Sequence, residues 1–281
     1  MVDVTVQDFP FNPTVFQENP SALLKMLFPV LKRVLGFAKF NEVYQAVAHT
    51  ISPEDFLQSW MQQMNIEAVF DPATLENIPK DGPVMIVANH SLGGIDALLF
   101  ALLLLKHCNN SKMLGSYLFH ALPQVQDYVI AIDQFQSKSA TNFNTKGLKE
   151  IIRWIKAGNQ LGVFPSGTVA HFQVKKLSIV EPAWDPRIAR IIRLCEVPVV
   201  PVFFGGNNSW LFHAAGLIHP LFRTALLISQ VMNKFDARIP IVIGNQIPYA
   251  QLSELGDDVT MINHLRACTY KLNPDAFHVN K

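Results

Sequence analysis

Residues 84–100, VMIVANHSLGGIDALLF, decide how the chain is read. The opening VMIVA is apolar at every position, which marks a strand buried on both faces, since a half-exposed strand would alternate. The run ends at Asn89 and His90, a turn follows at Gly93 and Gly94, and an apolar helix begins near Asp96. A strand that passes through a short glycine turn into a helix is the building unit of an α/β sheet. Polar side chains at the end of such a strand stand where ligands bind, because the loops there present side chains without filling the core.

Outward from this stretch, β-rich runs recur at 66–70, 83–88, 128–132, 160–164, 197–204 and 239–244, separated by helical segments. The run VPVVPVFF is a second strand of the doubly buried type. The pattern predicts an α/β domain over 65–281, a mixed sheet flanked by helices, preceded by a helical segment over 1–64. Ser52 as N-cap with Pro53 behind it starts a helix through about Met64. Another follows Asn144-Thr145, with Leu148, Ile151, Ile152 and Ile155 on one face and Gly158 as its stop. A third begins at Asp185-Pro186, burying Ile188, Ile191, Ile192 and Cys195 while Arg187, Arg190 and Arg193 form a solvated basic row.

The 281 residues are 49% hydrophobic and 16% charged, richer in apolar groups and poorer in charge than an average soluble domain. A net charge of +1 supplies no global field for nucleic acid. Cys108, Cys195 and Cys268 lie far apart and make neither a disulfide framework nor a zinc pattern, which fits a reducing compartment. The first residues, MVDVTVQDFPFNPT, show no secretory signal. Residues 21–40, SALLKMLFPVLKRVLGFAKF, carry no acid, and helical spacing puts Lys25, Lys32 and Lys39 in one stripe beside a broad apolar face. Two readings suit that helix: it lies in a membrane interface, or it packs on its own core with the lysines in water. The longest apolar run, 95–105, is interrupted by Asp96 and falls short of the roughly 20 residues of a spanning helix. Any membrane association is therefore expected to be peripheral, at the cytoplasmic face of the inner membrane.

His90 and Asp96 are six residues apart, about 120° on an unbroken helix and out of reach of each other. If the Gly93-Gly94 turn folds the chain back, the Asp96 carboxylate can accept a hydrogen bond from the imidazole and hold it as a base. The same residues also suit a plainer role, with Asp96 capping the helix and His90 a satisfied strand-end histidine. Phe164, Pro165, Ser166, Gly167 and Thr168 follow another strand but form no G-x-S-x-G elbow, so a serine nucleophile is not expected. Their small side chains can expose backbone N–H groups to an oxyanion or phosphate. No histidine pattern has metal-ligand spacing and no glycine-rich nucleotide loop is present, so neither a metal nor a bound cofactor is expected.

Taken together, NHSLGGID, FPSGTVAHF and VPVVPVFFGGNNSWLF resemble the lysophospholipid acyltransferase superfamily. The six-residue step from His90 to Asp96, with EPAWDPRIARI and GNNSWLFHAAGLIHPLFRTALL, is similar to its hemolysin-labelled branch, which includes O-acyltransferases of ornithine and glycine lipids. The resemblance covers about residues 52–250. It implies that His90, supported by Asp96, deprotonates the hydroxyl of a lyso-lipid acceptor, which attacks the thioester of an acyl carrier protein or coenzyme A at a membrane surface. It places Asn89, Gly93, Gly94 and the block from Phe164 through Pro165, Ser166 and Gly167 to Thr168 at the acceptor. Ser166 stands where glycerolipid members have glutamate, and the block around Ile130, Ala131, Ile132 and Asp133 lacks their phosphate-binding arginine. Both departures favour an amino-acid lyso-lipid such as lyso-ornithine lipid over lysophosphatidic acid. A non-catalytic lipid-binding protein is the reading from a different class. A carboxylate-bearing acceptor needs a cationic or N–H partner, and Arg223, Lys146 and Arg187 are the candidates, each of which also suits a surface or ion-paired role.

Overall fold

The computed structural model describes residues 36–116, 119, 122–132, 140–218 and 220–273. Its centre is a seven-stranded sheet built around β2 (Val84–Ala88). In spatial order the strands are β1 (Glu67–Val69), β9 (Arg238–Ile243), β8 (Val199–Phe204), β2, β5 (Gln160–Val163), β3 (Ser111–Ser116) and β4 (Val129–Ile132). Every neighbouring pair is parallel except β8 with β9, which makes the sheet mixed as expected. Met85 lies between Leu161 of β5 and Val199 of β8, so β2 is hydrogen-bonded on both sides.

Both faces of β2 are covered, which is why its sequence is apolar throughout. Val84, Ile86 and Ala88 join Val200, Val202 and Phe204 in one core, under α1 (Phe37–Val47), α2 (Pro53–Gln63), α3 (Gly94–His107) and α7 (Pro220–Met232). Met85 and Val87 enter the opposite core with Leu161, Val163 and Val199, beneath α4 (Ala140–Lys156), α5 (Pro186–Cys195) and α9 (Asp258–Lys271). Two short helices, α6 (Trp210–Ile218) and α8 (Tyr249–Ser253), and a separate antiparallel hairpin of β6 (His171–Gln173) and β7 (Ser178–Val180) complete the described chain.

The caps read from sequence are in place for α2, where Ser52 accepts from Asp55 N–H, and for α5, where Asp185 accepts from Arg187 N–H. In the basic row of α5, Arg187 and Arg190 are exposed, and Arg193 reaches Asp258 at 3.0 Å. Other boundaries differ. Helix α4 begins at Ala140, before Asn144, and Leu148 is exposed while Ile151 and Ile155 carry its buried face. Helix α3 begins at Gly94, so Asp96 sits inside its first turn. Strand β3 was not foreseen, because SKMLGS has only Met113 and Leu114 buried and neither alternates nor runs apolar. Most of the segment read as an interfacial helix, residues 21–35, lies outside the described residues. Its last lysine, Lys39, stands 3.7 Å from the Phe235 ring centroid. Phe40, Phe56 and Trp60 of α1 and α2 belong to the core of the sheet, so this part of the helical segment is built into the α/β fold. Among the described residues no helix is long and apolar enough to cross a membrane.

Candidate active site

Because β2, β5 and β8 are parallel, the segments leaving their C-terminal ends meet at one edge of the sheet. His90 follows β2, Phe164 follows β5, and Phe204 ends β8. The turn after His90 does fold back. Gly93 has φ of +83°, a left-handed conformation that L side chains rarely adopt, and a Cβ on Gly94 would overlap the Val231 side chain of α7. One glycine thus reverses the chain and the other lets it press against α7.

The reversal brings Asp96 Oδ2 to 3.1 Å from His90 Nδ1. Asp96 is fully buried and also accepts from Leu92 N–H at 2.8 Å and, through Oδ1, from Ala97 N–H at 2.9 Å. Asp96 is therefore not the helix cap of the plainer reading, since Gly93 holds that position; from the first turn its carboxylate binds the turn before the helix and holds the imidazole. A carboxylate in the first turn also meets the positive end of the helix dipole. The His90 ring stacks on Phe164 with centroids 4.1 Å apart and an interplanar angle of 20°. With Nδ1 engaged and one face covered, Nε2 is the ring atom left for an incoming proton.

Burial pushes the His90 pKa down and is the largest single influence on it. The charge and hydrogen bond of Asp96, joined by the charge of Glu181, outweigh it, so the net shift is upward. An imidazole with a raised pKa and 15% exposure is a stronger base than a free one and is still reachable.

Glu181 is the residue that sequence reasoning missed. It is fully buried, 91 residues from His90, and accepts the His90 backbone N–H through Oε1. The same oxygen lies 2.9 Å from the Ser166 hydroxyl, while Oε2 accepts from the Trp184 indole at 3.0 Å and the Tyr270 hydroxyl at 2.7 Å. Three donors thus meet one carboxylate, joined by the Ser166 hydroxyl, whose one proton is shared with Thr168 O at 3.0 Å. The guanidinium of Arg266 reaches the Glu181 carbonyl at 3.4 Å. The only trace in the sequence was the block EPAW, whose glutamate had no spacing relation to His90.

The other expected site residues sort into groups. Of the block from Phe164 to Thr168, Phe164 stacks on the His90 ring and Ser166 shares Glu181 Oε1 with the His90 N–H, while Ala170 N–H donates to the His90 carbonyl at 2.8 Å. The backbone N–H of Gly167 is spent in a turn to Phe164 O at 2.9 Å. Asn89, expected at the acceptor, is buried with its amide committed to β8, giving 2.8 Å to Phe204 O and accepting 2.7 Å from Phe204 N–H. It extends the β2–β8 pairing past Ala88 and thereby fixes where His90 leaves the sheet. Gly93 and Gly94 likewise serve the turn. Arg223 is on α7, with its side chain outside the described residues, as is Asp133. Arg187 is paired with its neighbour Asp185, and Lys146 is exposed on α4.

Residues 71–205 match the family described as Acyltransferase, a span that holds β2, His90, Asp96, the Phe164 block and Glu181. A lyso-glycine lipid O-acyltransferase of Phocaeicola vulgatus is 25% identical over 229 residues, covering 78% of this chain and 77% of that protein. One of the same name from Bacteroides thetaiotaomicron is 24% identical over 225 residues, with 78% and 79% covered. Among solved structures, the 1-acyl-sn-glycerophosphate acyltransferase PlsC of Thermotoga maritima shares the fold, with a TM-score of 0.52 at 14% identity over 92% of this chain and 93% of that one. The matched span holds the sheet edge that gathers His90, Asp96 and the Phe164 block, and the match together with the two lyso-lipid relatives makes the chain an acyltransferase, similar to the lysophospholipid acyltransferases.

Proposed function

We propose that the chain transfers a fatty acyl group from a thioester to the hydroxyl of an amino-acid lyso-lipid, with His90 as general base and Asp96 as the residue that orients it. The observation that carries this reading is the 3.1 Å contact between His90 Nδ1 and the buried Asp96 carboxylate, which leaves Nε2 for the acceptor. Nε2 takes the hydroxyl proton as the oxygen attacks the thioester carbonyl carbon. The tetrahedral intermediate collapses by breaking the C–S bond, and the departing sulfur takes the proton from the imidazolium. The products are an ester and a free thiol, without an acyl-enzyme. The donor is an acyl thioester of acyl carrier protein or coenzyme A, and the reaction takes place at the cytoplasmic surface of the inner membrane.

Two observations support an amino-acid headgroup. The relatives above carry the name lyso-glycine lipid O-acyltransferase. In this chain Ser166, which stands where the glycerolipid members that the sequence resembles have glutamate, is turned toward Glu181 beside His90, a departure from the pattern of the glycerol-phosphate enzymes. The test is transfer from radiolabelled acyl thioester to lyso-glycine lipid, lyso-ornithine lipid and lysophosphatidic acid. Both amino-acid lipids are expected to exceed lysophosphatidic acid in kcat/KM by about tenfold or more, which corresponds to one good charge-assisted contact. A preference for lysophosphatidic acid would contradict the reading.

A further inference from the structure

The β6–β7 hairpin and α6 are adjacent elements, packed against each other outside the main sheet. Of the ten large apolar side chains that stand exposed among the described residues, six lie on these two: Val174, Leu177 and Ile179 on the hairpin, and Trp210, Leu211 and Leu217 on α6. None of the six belongs to either core. Leu177, at the hairpin turn, is 79% exposed and has φ of +49°, a conformation that Asn or Gly adopts more cheaply. A leucine kept in a strained turn and pointed into water gains nothing for the fold.

The charge pattern says what covers this surface. Residues 171–180 contain no acid, nor do residues 197–235, and the hairpin turn carries Lys175 and Lys176, both exposed. Apolar tips beside lysines, on segments that carry no carboxylate, suit a bilayer with anionic headgroups: the tips enter the acyl boundary and the ammonium groups stay with the phosphates. An acidic protein would answer the lysines but offers no apolar layer for single side chains projecting from a turn.

The roots of the hairpin tie this surface to the site. Just before β6, Ala170 N–H donates to the His90 carbonyl, and just after β7, the Glu181 carboxylate accepts the His90 N–H. Both backbone groups of His90 are thus held by the two ends of one hairpin, so the depth at which the hairpin docks sets the height of the imidazole above the lipid.

We propose that the β6–β7 hairpin, together with α6, is a docking surface for an anionic membrane that presents the lyso-lipid hydroxyl to His90. The proposal rests on the lyso-lipid reading above for its purpose, and vesicle binding tests it without any turnover. Full-length protein is sedimented with phosphatidylglycerol–phosphatidylethanolamine vesicles and with pure phosphatidylcholine vesicles. Lys175→Gln with Lys176→Gln is expected to weaken binding to the anionic vesicles by about 25-fold, from about 1 kcal/mol per lysine, a factor of about five each. That difference should vanish at high salt. Leu177→Asn with Trp210→Ser is expected to weaken it at least tenfold at any salt, and Leu177→Asn also suits the turn, so folding is retained. Trp60 and Trp184 are buried and Trp154 is half-buried, so the part of the blue shift and of the quenching by brominated acyl chains that Trp210→Ser removes reports Trp210. Transfer to detergent-dispersed lyso-lipid should equal wild type in both variants, whereas failure of all forms on every lyso-lipid would instead count against the proposed reaction. Wild-type binding by both variants would overturn the docking surface, as would unchanged vesicle binding with a raised KM for acyl carrier protein.

Discussion

His90→Ala is expected to reduce kcat by about 10³-fold or more while leaving a folded protein, as measured by acyl transfer and by near-ultraviolet circular dichroism. General base catalysis is worth about 10²–10⁴-fold, and His90 is the base of the reaction proposed above. The fold survives because of what Asp96 keeps. Without the imidazole its buried carboxylate still accepts from Leu92 and Ala97 N–H, so no uncompensated charge is left inside. Phe164 loses a stacking partner but still packs against Phe100 and Phe204.

Glu181→Leu acts in the opposite order, on the fold first. It leaves the His90 N–H, the Trp184 indole and the Tyr270 hydroxyl without their acceptor, and Trp184 is itself buried, while the Ser166 hydroxyl keeps the Thr168 carbonyl at 3.0 Å. Each orphaned donor costs about 1–3 kcal/mol, and the three share one site, so the combined loss is about 3–5 kcal/mol. Against a typical total of about 5–15 kcal/mol this is a large fraction, read as a drop in the urea midpoint. Glu181→Gln separates structure from chemistry. It keeps the shape and one carbonyl acceptor but removes a charge that raises the His90 pKa, so the acid limb of its rate profile should move to lower pH. An unchanged midpoint for Glu181→Leu would mean that the network does not hold the site together.

The parts of this site that were legible in the sequence are those whose cause is local. VMIVA reads as a doubly buried strand because alternate residues enter opposite cores, and the structure divides it in that way between the two faces. The Asp185-Pro186 start of α5 is equally local, since cap and first turn are adjacent. The His90–Asp96 contact was legible only as an alternative, because six residues of spacing fix nothing until φ at Gly93 is known. Glu181 was illegible for a different reason. Its tie to His90 is made across 91 residues by a hairpin whose six strand residues are none of them buried, so no periodicity announced the element that delivers it. The role expected of Asn89 shows the converse limit: a polar residue at a strand end reads as a ligand-binding group, yet its amide is used up in prolonging the backbone pairing with Phe204.

The central claim, that an Asp96-supported His90 is the base, is tested most directly by the pH dependence of kcat/KM for wild type and Asp96→Asn. The base works when neutral, and its pKa is raised above the ordinary value, so wild-type activity should fall on the acid side at a pH above about 6.5. Asparagine at position 96 removes both the charge and the anionic acceptor that raise it, so burial dominates, the acid limb moves to lower pH and the plateau falls by about 10²-fold. Superimposable acid limbs in the two proteins would contradict the account.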